Sequence, residues 1–416
     1  MQDPIKLGWV VTLRGVAALW VFAYHLWLSM GGNSFRFGLP TDFSFGLRSI
    51  FRAGYEGVDL FFVLSGFVIA WPYVARAGGG KASLDRYEVA DFYQRRYLRI
   101  APVYYVSLFA AVVLIAGGLL PGRVHAGAIA SHLAFAENFN PQWVTSIRGV
   151  YWTLPTEIGF YLLFPVLLRF TNLDRPLRMA CCVILFAIAY RYLVVWLTVK
   201  HGVWTTWTAA YLPGRIDQFG CGMAAACAVA AARRNATKVS KSTVLLLGML
   251  AIACLVLVSR NASDQFDVWY MTGASLSAVS IALFIGSMGV WANTRRSPPS
   301  TAATWGASRM LYVLGEASLS IYLWHTFFID LILVAALRWG WTPETKMWML
   351  FTTIPITLIV SLVTYRFIEA PAVAMSKSPK WRWRIARLVD HATAIFHHAP
   401  VGLASAAPRK DERSAG

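Results

Sequence analysis

Apolar runs of about 20 residues recur along this chain, and they constrain its fold more than any other feature. About 20 apolar residues in a helix cross the hydrocarbon core of a bilayer. Inside that core every backbone polar group must find its partner within a helix or a closed barrel. Ten such runs fall at roughly 9–30, 57–75, 100–120, 150–169, 179–199, 209–232, 243–259, 268–291, 311–337 and 347–368. They predict an all-α, polytopic integral membrane protein of about ten transmembrane helices. Composition agrees: of 416 residues, 57% are hydrophobic and 14% charged, with mean hydropathy +0.53. A soluble chain carries about 25% charged residues. The first run contains Arg14 and lacks a clear small-residue cleavage site, so it is expected to remain as a permanent span.

The net charge of +18 raises the question of a nucleic-acid partner, and its distribution argues against one. With the N-terminus cytoplasmic, the cytoplasmic segments hold 25 of the 38 Lys and Arg residues and the opposite loops hold nine. That bias follows the positive-inside rule. It predicts both termini in the cytoplasm, a multi-pass protein of the inner (plasma) membrane, and attraction to anionic lipid rather than nucleic acid. The chain divides into a membrane domain over 1–375 and a basic cytoplasmic tail over 376–416. In the tail, Trp381, Ile385, Leu388, Val389, Ala392, Ile395 and Phe396 recur at helical spacing. They predict an interfacial amphipathic helix over about 381–398. Phe35, Phe43 and Trp143 in the external loops 31–56 and 121–149 read as interfacial aromatics.

The five cysteines fall inside apolar runs without metal-ligand spacing, so no metal site is expected. Gly78-Gly79-Gly80-Lys81 is not a phosphate loop. Ser65, preceded by Val63 rather than glycine at two positions, is not a nucleophile elbow. Ser65-Gly66 reads better as a close helix contact.

Ionisable residues inside membrane helices are costly and mark pathways or reaction sites. Arg14 and His25 share the first run, and at 1.5 Å per residue Arg14 lies about 16 Å deeper than His25 toward the cytoplasm. Alternating helix direction places His25, Asp59, Glu157, Arg215 and Asp217 in the outer third of the membrane. A His beside a carboxylate can act as a general base, so His25 with Glu157 or Asp59 is a candidate catalytic group. Each also has a structural reading: a His satisfied by a backbone carbonyl, an acid at a helix start, and Arg215 neutralising Asp217. His325, within Ser320-Ile321-Tyr322-Leu323-Trp324-His325, ranks below His25. Arg95, Arg96 and Arg99 precede the third run, where they suit either a polyanionic phosphate or ordinary stop-transfer charge.

Several segments in order carry a resemblance. They are Leu13-Arg14-Gly15 with His25, Gly57-Val58-Asp59-Leu60-Phe61-Phe62-Val63-Leu64-Ser65-Gly66-Phe67, Arg96-Tyr97-Leu98-Arg99 ahead of Ala101-Pro102, Trp152-Thr153-Leu154 with Glu157, Ser318-Leu319-Ser320-Ile321-Tyr322-Leu323-Trp324-His325, and Phe367-Ile368-Glu369-Ala370-Pro371. In these the chain resembles the acyltransferase-3 family of bacterial integral-membrane O-acyltransferases, over about residues 7–375. The resemblance implies transfer of an acyl group, most often acetyl, from acyl-CoA to a hydroxyl of a glycan, glycolipid or small glycosylated acceptor. It implies that Arg14, His25, Arg96 and Arg99 are functional, with acyl-CoA as co-substrate and no permanently bound cofactor. On that reading Arg96 and Arg99 hold the phosphates, Arg14 binds deeper along the donor, and His25 is either a general base or an acyl carrier. His325 assists from the facing helix. Some family members carry a further soluble hydrolase-like domain, which leaves open whether this chain passes its acyl group to a partner. The competing expectations are a ten-span proton-coupled transporter or flippase with an intramembrane His/Glu site, and an inert assembly subunit. The absence of visible repeats in the sequence favours the enzyme.

Overall fold

The structure is a computed structural model that describes residues 7–32, 41–77, 79–201, 211–261, 268–294, 306–378 and residue 387. Residue 387 apart, the amphipathic tail segment lies outside the described residues, as do Phe35 and the Phe43 side chain. The described chain forms fourteen α-helices: α1 Gly8–Ser29, α2 Thr41–Arg52, α3 Gly57–Ala77, α4 Arg86–Ala116, α5 Ala126–Leu133, α6 Thr153–Phe170, α7 Pro176–His201, α8 Leu212–Arg234, α9 Lys241–Asn261, α10 Val268–Thr294, α11 Gly306–Glu316, α12 Ser318–Trp339, α13 Pro343–Thr364 and α14 Ala370–Ser376. A 3₁₀ turn, Ala53–Glu56, joins α2 to α3, and a π-helical turn, Tyr365–Glu369, joins α13 to α14.

Nine helical segments among the described residues are long and apolar enough to cross a membrane. The tenth expected span is α8, whose Arg215, Asp217 and Gln218 lower its hydropathy. It is nonetheless the best buried helix, packed against α3, α7, α10 and α6. The outward faces of α7 and α9 expose Leu185, Phe186, Leu246, Met249 and Leu250, with Leu185 68% exposed. A lipid-facing surface accounts for these side chains, where a water-soluble protein would place charge.

Two boundaries differ from the sequence reading. The third span was expected to begin near residue 100, but α4 starts at Arg86. Asp85 accepts from the Tyr87 and Glu88 amides while Glu88 accepts from the Asp85 amide, a capping box that starts the helix early. Arg95, Arg96 and Arg99 therefore lie within the helix rather than ahead of it. The ninth span was expected over 311–337. It is broken at Ala317, so that α11 packs beside the first half of α1 and α12 runs alongside α1.

Small residues set the closest helix contacts. At the crossing of α3 and α8, a Cβ added at Gly66 would meet the Phe219 carbonyl oxygen, and one at Gly222 the Val63 carbonyl oxygen. The expected role of Ser65-Gly66 thus holds for Gly66. Backbone carbonyls cannot swing aside, so Gly66→Ala is expected to lower stability by about 1–3 kcal/mol through overpacking. Thermal melting in detergent micelles checks this, and a melting temperature equal to wild type would contradict the contact.

Candidate active site

Two cavities follow the axis of α1. The larger one, about 950 Å³, lies toward the C-terminal end of α1, is named the outer cavity for that position along the helix, and is lined by His25, Asp59, Arg148, Arg215, Tyr322 and Asp330 among others. The inner one, about 50 Å³, is lined by Arg14, Ser65, Glu157 and Ser318, again with Tyr322.

The outer cavity holds a histidine couple. His325 Nδ1 lies 2.7 Å from the Tyr322 carbonyl oxygen, and its Nε2 lies 3.1 Å from His25 Nδ1. His25 Nδ1 is also 3.0 Å from the Val21 carbonyl oxygen. Carbonyl oxygens only accept. In neutral rings His325 therefore carries its proton on Nδ1, and its Nε2 accepts from His25 Nδ1–H. His25 Nε2 is left with the free lone pair, on a ring that lines the cavity. A buried guanidinium stands beside the pair. Arg148 donates from Nη2 to Thr326 Oγ1 (2.5 Å), pairs through Nη1 with Asp330 Oδ2 (2.8 Å), and lies over the Phe327 ring. Arg148 carried no role in the sequence beyond a loop charge, because its partner is 182 positions away in the chain.

The carboxylates divide. Asp59 lines the outer cavity with His25, but it accepts from Arg215 Nη1 at 2.9 Å and Gln218 Nε2 at 2.7 Å. Arg215 does not neutralise Asp217, as the sequence suggested. Asp217 turns the other way, to Arg191 Nη2 at 3.0 Å and Ser275 Oγ at 2.5 Å. Residues 215 and 217 project from different sides of α8, so each meets a different neighbouring helix. Glu157 lies in the inner cavity, where it accepts from Ser65 Oγ (2.9 Å) and the Tyr161 hydroxyl (2.5 Å). It is not hydrogen-bonded to His25.

The arginines form a column leading to the inner cavity. Arg14 Nε donates to Ser318 Oγ at 3.3 Å and interacts electrostatically with Arg99, Glu157 and Glu369. Arg99 is paired with the buried Glu369 at 3.3 Å, which the π-helical turn delivers. Arg95 is paired with Asp91 on its own helix. Among the described residues Arg96 makes no ion pair, and it lies over the Phe92 and Tyr161 rings at 5.6 and 5.8 Å. Held by aromatic faces, its guanidinium is the member of the cluster best able to take a phosphate. Among the described residues no group of His, Cys, Asp and Glu could hold a metal ion.

A separate buried cluster supports the loop that carries Arg148. His132 Nε2 stands 4.0 Å from Glu137 Oε1, and the Tyr104 hydroxyl donates to the same oxygen at 3.3 Å. The neighbouring Asn138 Nδ2 donates to the Trp152 carbonyl at 2.8 Å. Burial pushes the Glu137 carboxyl up from 4.5 to about 8, and burial lowers the His132 imidazole. The signs are opposite. The Glu137 contribution to stability is complete below 4.5 and is lost as pH rises to about 8, whereas the His132 contribution is lost as pH falls below the ordinary imidazole range. Glu137→Gln is expected to flatten the decline in melting temperature between pH 4.5 and about 8. An unaltered decline would contradict this.

Comparison with known proteins gives the family. Residues 7–366 match the acyltransferase-3 family, described as an acyltransferase domain. The O-acetyltransferase OatA of Staphylococcus aureus is 23% identical over 413 residues, covering 94% of this chain and 62% of the relative. The peptidoglycan O-acetyltransferase OatA of Listeria monocytogenes is 24% identical over 385 residues, covering 86% and 54%. The acyltransferase MdmB of Streptomyces mycarofaciens is 31% identical over 171 residues, 40% of each chain. The chain spans less than two thirds of the length of these relatives. No solved structure gives a significant match. The family match runs through nearly the whole membrane part and takes in the histidine couple, the arginine column and both cavities, and the chain belongs to the acyltransferase-3 family.

Proposed function

We propose that this chain transfers a short acyl group, acetyl first of all, from acyl-CoA to a hydroxyl of a glycan, glycolipid or small glycosylated acceptor. The observation that carries the proposal is the histidine couple on the wall of a cavity large enough for a sugar. The names of the two OatA relatives, O-acetyltransferase and peptidoglycan O-acetyltransferase, support a glycan acceptor. The distribution of basic residues supports both termini in the cytoplasm and placement in the plasma membrane.

In this reading the acyl-CoA phosphates lie against Arg96, with Arg99 one turn further along α4 and held by its pair with Glu369. The pantetheine arm follows the column past Arg14, and the thioester reaches the outer cavity. The acceptor hydroxyl gives its proton to His25 Nε2 as its oxygen attacks the thioester carbonyl. The C–S bond breaks, an ester forms, and the CoA thiolate takes up the proton to leave as thiol. His325 stabilises the proton pattern that keeps Nε2 basic. Asp59, held by Arg215 and Gln218, orients the acceptor from the cavity wall, and Glu157 acts on the donor side beside Arg14.

Calorimetric titration of acetyl-CoA into the protein in lipid nanodiscs tests the donor side. Saturable binding is expected, weakened tenfold or more by Arg96→Ala and by Arg14→Ala. Absence of binding by folded wild type, with acetyl and longer acyl-CoAs, would contradict the proposal.

A further inference from the structure

The two cavities have two lining residues in common, Val58 of α3 and Tyr322 of α12. On the donor path proposed above, a thioester moving from the Arg14 side to His25 meets these two side chains. The space on the two sides of this passage is unequal: about 50 Å³ on the inner side against about 950 Å³ on the outer. The passage is stiff. The Tyr322 hydroxyl donates to the Val150 carbonyl at 2.8 Å and accepts from Thr153 Oγ1 at 3.1 Å, and Phe61 stands edge-on to its ring at 6.3 Å. Those bonds tie the ring to the loop before α6 and to the first residue of α6. Val58 is β-branched on a helix, with one strongly preferred rotamer, so neither wall yields cheaply.

A straight acyl chain enters such a neck end-on and presents one methylene cross-section whatever its length. Beyond the neck the outer cavity has room for its tail. Branching next to the carbonyl adds a methyl to the girth at equal carbon count. We infer that Val58 and Tyr322 form a girth filter that admits straight acyl groups and rejects those branched beside the thioester carbonyl. This inference rests on the acyl-transfer reading and adds to it the class of donor the site accepts.

Butyryl-CoA and isobutyryl-CoA are isomers, and because branching beside the carbonyl also slows transfer at the thioester itself, the neck is read from how the Val58 variants move their ratio. Thiol release from each, and from acetyl-CoA, is measured with the full chain in nanodiscs, using water and a tetramer of N-acetylglucosamine as acceptors. Wild type is expected to favour butyryl by about tenfold or more, the scale of discrimination that one misplaced methyl brings in an apolar site. Val58→Ala should bring the ratio toward one, and Val58→Ile should raise it. Tyr322→Phe, which keeps the ring and frees it from Val150 and Thr153, should lower it partly. Val58→Ile supplies the test if the Ala variant does not fold. Equal turnover of the isomers by wild type, or ratios unmoved by the Val58 variants, would overturn the filter while acetyl turnover leaves acyl transfer standing. No thiol release from any of the three would overturn both.

Discussion

His25→Ala is expected to lower acyl transfer from acetyl-CoA by about 10²–10⁴-fold, the range for removing a general base, with the fold retained. The ring is half-buried at the cavity wall, where it meets the Val21 carbonyl, His325 and the edge of the Tyr24 ring, so its loss leaves the helix contacts of α1 in place. His325→Ala should give a smaller loss with a different signature. It removes the acceptor that His25 Nδ1–H faces, so the pH profile of transfer shifts as well as its rate. Transfer by His25→Ala within a few-fold of wild type would remove His25 from catalysis and leave the acyltransferase reading in place.

The largest expected effect on stability is at Asp217. Arg191 is 2% exposed, and its guanidinium donates to the Gly214 carbonyl, to Asp217 and to Ser275, which ties α7, α8 and α10 together. Asp217→Ala leaves that cation buried without a counter-charge, at a cost of about 3–5 kcal/mol. Replacing the whole pair, as in Arg191→Met with Asp217→Leu, should recover most of the loss, because an apolar pair of similar volume avoids the desolvation penalty. Denaturation in mixed micelles measures both variants. A single substitution as stable as wild type, or a double variant no better than the single, would contradict this account of α8.

The placement of the two acids on α8 marks how far the sequence reaches. An all-α membrane bundle is legible in it because long apolar runs have few alternatives to a membrane helix, and nine segments among the described residues meet that length and apolarity. Residue position also gives depth, and His25, Asp59 and Arg215 do share one cavity. Depth does not give the side of a helix. Glu157 stands near the start of α6 as expected, but α6 turns it toward Ser65 and Tyr161 in the inner cavity. Asp217 faces Arg191 rather than Arg215, because α8 is surrounded and its polar residues meet different partners. The His25–His325 couple joins residues 300 positions apart. Each histidine is visible as an intramembrane residue, but only packing of α12 along α1 brings them together. Among the basic residues the sequence singles out Arg96 and Arg99 equally. The pairing of Arg99 with Glu369 separates them, and Glu369 reaches that position through a π-helical turn that no local pattern announces.

Sided proteoliposomes bear most directly on acyl transfer across this bundle. Wild type is reconstituted in one orientation with the N-acetylglucosamine tetramer outside, and acetyl-CoA is supplied to one face at a time. Acetyl ester on the tetramer is expected only when acetyl-CoA meets the face at which α4 presents Arg96, and it should vanish with His25→Ala. Ester formed equally from acetyl-CoA on either face, or undiminished without His25, would contradict a donor path that rises past Arg14 to the histidine couple.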